Sequence, residues 1–89
     1  MGGISRFYGI VVYMYANDHG PDKHFHASYN GFYAKFHLDG TLVDGEDFPR
    51  KQARFIKKWA SLRQSELEAN WRHVEAHTQP SGIAPLDHK

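Results

Sequence analysis

The chain has 89 residues, with 11 Lys and Arg, 10 Asp and Glu and 7 His, for a formal net charge of +1. This length predicts one domain spanning residues 1–89, and the lack of cysteine excludes disulfides and thiolate zinc sites. The near-neutral charge gives no general case for nucleic acid binding, so such a case depends on charge distribution. No apolar run is long enough to span a membrane, and residues 1–6 lack a signal-peptide hydrophobic region. We therefore expect a cytoplasmic protein without a membrane partner.

The first predicted element is a strand from Phe7 to Ala16, which is rich in β-branched and aromatic residues. Its apolar residues fall on both faces, which is typical of a central strand or of one covered by a partner chain. We therefore expect a homo- or hetero-oligomer that buries part of the surface of residues 7–15. The turn-forming residues 17–23 predict a loop.

A β-hairpin is predicted over residues 24–37, with its turn at Asn30-Gly31, because both residues tolerate the positive φ angles of a type I′ turn. This turn sets Ala27 opposite Ala34. Side chains alternate across a strand, so one face of the hairpin is apolar and the other polar. The polar face gathers His24, His26, Tyr33, Lys35 and His37.

A second turn at Asp39-Gly40 predicts a short strand over residues 41–44. Its register places Val43 opposite Phe36 and Asp44 opposite Lys35, an apolar pair and an oppositely charged pair. Six aromatic residues are predicted to form the core: Phe25, Tyr29, Phe32, Phe36, Trp59 and Trp71.

Helical spacing of apolar residues predicts two helices, at about 49–63 and 65–77, or one helix kinked near Gln64. Asp47 is the predicted cap of the first helix, and Ser65 and Glu68 resemble a capping box at the start of the second. Residues 78–89 contain two prolines and a glycine, which predict an irregular tail. The fold class is therefore α+β, an antiparallel β-meander of about four strands (ββββαα) packed against one or two C-terminal helices.

The polar hairpin face suggests three alternatives. As a metal-independent ribonuclease without cofactors, it would use His24 or His26 as base or acid, Lys35 to stabilise charge, and Tyr33 to stack or to donate a proton. As a metal site, it would use His24, His26 and His37, joined by Asp18 or His19, although the ammonium of Lys35 disfavours a neighbouring cation. The third alternative is an ordinary solvated face.

The first helix is strongly basic, with six of the eleven basic residues and no acidic residue between positions 50 and 63. A basic stripe at helical spacing suits RNA phosphates or an acidic partner protein, and a solvated helix face is the alternative. Arg6, just before the first strand, is another candidate phosphate ligand. The candidate binding residues of the helix are Arg50, Lys51, Arg54, Lys57 and Lys58.

One further pattern spans nearly the whole chain and consists of residues 4–10, Met14-Tyr15, Asp18-His19, His24–Tyr29, Trp59, Glu66-Leu67, Asn70-Trp71 and Ile83–Leu86. In this pattern the chain resembles the bacterial family known as domain of unknown function 4160. Residues 20–23 depart from the two prolines that usually precede His-Phe-His in this family.

The resemblance implies a small prokaryotic protein of unestablished activity, often encoded beside a second small protein in a toxin–antitoxin-like pair. It points to Asp18, His19, His24 and His26 as the candidate site, and to a docked segment at Ile83–Leu86. We therefore expect a toxin–antitoxin-type component that binds, and in one version cleaves, RNA, or that binds a cognate protein encoded nearby. A non-catalytic interaction module and a histidine-cluster metal protein are the alternatives.

Overall fold

The computed structural model describes residues 3–15 and 23–86. Five antiparallel strands form one sheet in chain order, and two helices follow, which confirms the α+β meander but with five strands instead of about four. No helix within these residues is both long and apolar enough to cross a membrane. The elements are β1 (Gly3–Phe7), β2 (Ile10–Tyr13), β3 (His24–Tyr29), β4 (Phe32–His37), β5 (Leu42–Asp44), α1 (Arg50–Leu62) and α2 (Gln64–Glu75).

The prediction of one strand over residues 7–16 is wrong, because a turn at Tyr8-Gly9 divides it into β1 and β2. Both turn residues have positive φ, 53° and 77°. A tyrosine rarely adopts this conformation, but its ring packs on Phe55 of α1 with centroids 4.6 Å apart, which holds the turn in place. The predicted loop after β2 lies mostly in residues 16–22, outside the described residues.

The central hairpin has the predicted register, with Ala27 opposite Ala34 and His24 opposite His37. Asn30 and Gly31 have φ angles of 52° and 85°, as a type I′ turn requires. The side chains of the apolar hairpin face therefore point toward the helices, and those of the polar face point away from them.

The pairing of β5 agrees only in part with the prediction. Asp44 lies opposite Lys35 as expected, but Leu42, not Val43, lies opposite Phe36. The register shifts between these two pairs, so Val43 is the extra residue of a β-bulge. The predicted register paired residues one by one outward from the turn at Asp39-Gly40. A bulge adds an unpaired residue to one strand, so the predicted partner of Phe36 was one residue off.

The two predicted helices are confirmed, with the break at Arg63. Gln64 holds the break, because its side-chain amide donates to the carbonyls of Leu38 (2.6 Å) and Ala60 (2.9 Å). Both capping predictions are wrong: Pro49 occupies the cap of α1, Arg63 that of α2, and neither helix has a side-chain cap hydrogen bond.

The core lies between the helices and the inner face of the sheet. The buried Trp59 of α1 contacts the rings of Phe7 and Phe25, with centroids 5.4 and 5.7 Å away. Four of the six predicted core aromatics are buried, Tyr29 is half-buried, and Phe32 is exposed beside the hairpin turn.

Residues 78–86 contain no helix or strand, yet they pack against the domain. The Ile83 N–H donates to the Ile4 carbonyl of β1 (2.7 Å), and the Trp59 indole donates to the Ala84 carbonyl (2.9 Å). Asn70 of α2 donates to the Ser81 carbonyl (2.8 Å) and accepts from the Ser81 N–H (2.9 Å). The segment therefore ties the β1 edge to both helices.

Candidate functional site

Among residues 3–15 and 23–86, the helices cover one face of the sheet, and no helix or strand covers the opposite one, here called the outer face. Strand alternation places a set of polar and aromatic residues there. Tyr33 is 68% exposed and Tyr15 46% exposed. The outer face comprises Arg6, Val11, Tyr13, Tyr15, His26, Ser28, Tyr33, Lys35, His37 and Asp44.

Three of these side chains form a row of contacting rings, here called the aromatic row. Tyr13 and His26 are cross-strand partners, and their rings stack with centroids 5.5 Å apart and planes 16° apart. Tyr15 meets both, with centroids 5.4 Å from Tyr13 and 5.7 Å from His26. These mutual contacts hold the rings in defined orientations on β2, in the two residues that follow it and on β3.

Two shallow grooves on the outer face share Tyr13 and Tyr33 in their walls. One has a volume of about 320 Å³ and extends to His26, Lys35 and Asp44. The other has a volume of about 370 Å³ and is lined further by Arg6, Val11, Tyr15 and Ser28. Because they share two walls, the grooves form a furrow from β1 to β5.

A cation lies toward each end of this furrow. Lys35 lies opposite Asp44 in the sheet register, but among residues 3–15 and 23–86 it forms no salt bridge. The same holds for Arg6, which is exposed on β1. Both cations therefore remain able to pair with an anion lying along the furrow.

The predicted histidine cluster is only partly present on this surface. His24 is 6% exposed, because its ring packs against Trp71 of α2 and against His26, each with centroids 5.1 Å away. His26 and His37 are half-buried. Direct contact between a substrate and His24 would therefore require these rings to move.

The part of the chain that the structure describes contains no group of three His, Cys, Asp or Glu able to hold a metal ion. His24, His26 and His37 thus do not form such a group by themselves. Asp18 and His19, the further ligands of that hypothesis, lie outside the described residues.

Five of the six candidate phosphate or partner ligands lie away from the outer face. They are exposed on α1, in the helical layer: Arg50, Lys51, Arg54, Lys57 and Lys58. The sixth, Arg6, lies beside the furrow, as does Lys35 of the predicted catalytic set. Sequence reasoning missed Tyr13 and Tyr15 as site residues. Their period-2 spacing in a segment with typical strand composition was the signal that could have placed them on one face.

The structure thus defines a small α+β protein with helices on one side of a meander sheet and an aromatic face on the other. The chain belongs to the family described as "Domain of unknown function (DUF4160)", whose sequence model matches residues 9–72, as the resemblance implied. Searches among curated proteins and among solved structures give no significant match. The family description assigns no activity.

Proposed function

We propose that the outer face binds single-stranded RNA. The observation that carries this proposal is the furrow walled by the exposed ring of Tyr33 and the row of Tyr13, Tyr15 and His26. Aromatic side chains on a sheet stack on unpaired bases, and each stacked base contributes about 1–3 kcal/mol. Lys35 and Arg6 would pair with phosphates at the two ends.

The proposal favours a single strand over a duplex for a geometric reason. Bases in a duplex are stacked on one another, so their faces are not available to Tyr33 or to the aromatic row. A single strand can turn its bases toward the sheet while its phosphates follow the cations. The shallow, open form of both grooves leaves room for such a strand across β1 to β4.

Binding has more structural support than cleavage. A metal-independent ribonuclease needs a base and an acid near the reacting oxygens. His26 lines the furrow together with Tyr33 and Lys35, whereas His24 is buried against Trp71. Cleavage by His26 with Lys35 and Tyr33, and the toxin–antitoxin-type role, remain predictions beyond the binding proposal.

The proposal is tested by fluorescence anisotropy with labelled single-stranded oligouridine and oligoadenosine, and with duplex RNA as the weak-binding comparison. We expect Tyr33→Ala to weaken single-strand binding about tenfold, because one stacking platform is lost. Gel analysis of the same mixtures reports any cleavage.

The matched control is Tyr8→Asn, which removes another exposed tyrosine, one that packs on Phe55 on the helical side. Asparagine suits the positive φ at position 8, so this variant should fold and bind RNA like the wild type. Equal loss of binding in both variants, or no measurable binding by the wild type, would contradict the proposal.

A further inference from the structure

A second surface lies between β5 and α1, on the helical layer. It is a groove of about 310 Å³, here called the edge groove. Its floor is apolar and its helical wall is basic. Among its lining residues are Phe36, Leu42, Ala53, Arg50, Arg54 and Lys57.

The apolar floor is inner-face surface that the helices leave uncovered. Leu42 lies opposite the fully buried Phe36 in the register, so its side chain is on the core side of the sheet. It is nevertheless 40% exposed, and its neighbour Val43 is 43% exposed. An uncovered leucine beside a helix is surface that a partner can bury with a gain in free energy.

The basic wall is one side of α1. Arg50, Arg54 and Lys57 are spaced at i, i+4 and i+7, which places them on the same helical face. Of the described residues, no carboxylate lines the edge groove. Neither arginine forms an ion pair within residues 3–15 and 23–86, and Asp39, the acidic residue near Lys57, is already hydrogen-bonded to Thr41.

We infer that the edge groove binds an acidic amphipathic helix of a partner protein. Carboxylates on such a helix would pair with Arg50 and Arg54, while its apolar side chains would cover Leu42. Strand addition fits less well, because β5 has three residues and a bulge interrupts its pairing. RNA fits less well because Phe36, the aromatic residue of the floor, is fully buried and offers no exposed ring to a base.

This site is separate from the RNA-binding furrow. The furrow lies on the outer face of the sheet, whereas the edge groove opens on the inner side, between β5 and α1. The two surfaces share none of their lining residues. Peptide binding at the edge groove therefore does not depend on the proposed RNA function, and one can fail without the other.

The test is selection of a random peptide display library against the 89-residue chain, followed by affinity measurement on the enriched peptides. We expect enriched sequences with Asp or Glu on one helical side and Leu, Ile or Phe on the other. The double change Arg50→Glu/Arg54→Glu should weaken their binding at least about tenfold. Leu42→Thr, which replaces the leucine by a more polar residue that suits a strand, should weaken it as well.

The matched control is Lys51→Glu/Lys58→Glu, which makes the same change in charge on the same helix outside the edge groove. This variant should bind the peptides within about twofold of wild type, because exposed charges away from the contact contribute little. Thermal unfolding verifies that all variants are folded. The inference is overturned if no acidic peptides are enriched, if both double changes act equally, or if single-stranded oligouridine displaces the peptides.

Discussion

Tyr13 of β2 and His26 of β3 stack as cross-strand partners, with ring centroids 5.5 Å apart and planes 16° from parallel. Tyr15 packs against both rings, so each member of the aromatic row is held by the other two. Side chains that are already ordered lose little conformational entropy when a ligand binds. Under the proposed RNA-binding function, the row would therefore be a preorganised platform for a base, and the contribution of its rings can be separated from that of its hydroxyl groups.

Tyr13→Ala should weaken single-strand RNA binding about tenfold or more, because Tyr13 stacks on His26 and lines both grooves of the furrow. Tyr13→Phe should bind nearly as well as wild type, since stacking uses the ring and not the hydroxyl. Anisotropy titrations check both variants. A phenylalanine variant as weak as the alanine variant would show that stacking is not the interaction.

The salt dependence of RNA binding should show whether the two cations of the furrow, Lys35 and Arg6, contact phosphates. Lys35→Ala and Arg6→Ala should each reduce the slope of log affinity against log salt by about 0.7, the value for one phosphate on a single strand. Lys58→Ala on α1 serves as the control and should leave the slope unchanged. If the slope were the same in all three variants, the phosphates would not contact Lys35 or Arg6 in preference to Lys58.

Asn70→Ala should lower the free energy of unfolding by about 1–3 kcal/mol, because both hydrogen bonds to the Ser81 backbone are lost at a buried position. For a domain of this size, the melting temperature should fall by about 4–8 °C per kcal/mol. The control is Ser81→Ala, which keeps the backbone groups that make these bonds. Comparable melting temperatures for the two variants would show that the hydrogen bonds between Asn70 and the Ser81 backbone do not stabilise the fold.

Gly45→Ala should destabilise the protein more than Gly31→Ala. A methyl group at Gly45 would lie 2.7 Å from the Tyr33 carbonyl oxygen and from Ala34 Cβ, with φ at +107°. Gly31 also has positive φ, at +85°, but nothing lies within 4 Å of its added methyl. We expect a loss of about 1 kcal/mol at Gly31 and at least about 2–3 kcal/mol at Gly45, measured by chemical denaturation.

The stabilising effect of Asp39 should depend on pH. Hydrogen bonds from the side chain and backbone of Thr41 hold the pKa of Asp39 below its ordinary value in the folded state. Its stabilisation is therefore present above the unfolded-state pKa and is lost as pH falls through the lower folded-state pKa. Asp39→Asn should melt below wild type at neutral pH, and the difference should disappear well below about pH 4. A constant difference across this range would contradict the assignment.

Features that depend on adjacent residues could be predicted from the sequence, whereas features that depend on contacts between distant residues could not. Asn30-Gly31 predicts its own hairpin register, since the turn and the alternation depend on adjacent residues. The turn at Tyr8 was not predictable locally, because its positive φ is held by contact with Phe55, 47 positions later in the chain. The burial of His24 likewise depends on Trp71. Helix α2 reaches the start of β3 only in the folded protein, so alternation alone predicts an exposed His24.

The most direct test of the central claim is an NMR titration of the isotope-labelled chain with single-stranded oligouridine, followed through amide and aromatic ring signals. We predict that the largest shifts occur at Tyr13, Tyr33 and Lys35 on the outer face, with little change at Arg54 on α1. Shifts centred on α1, or none on the outer face at saturating RNA, would contradict the account.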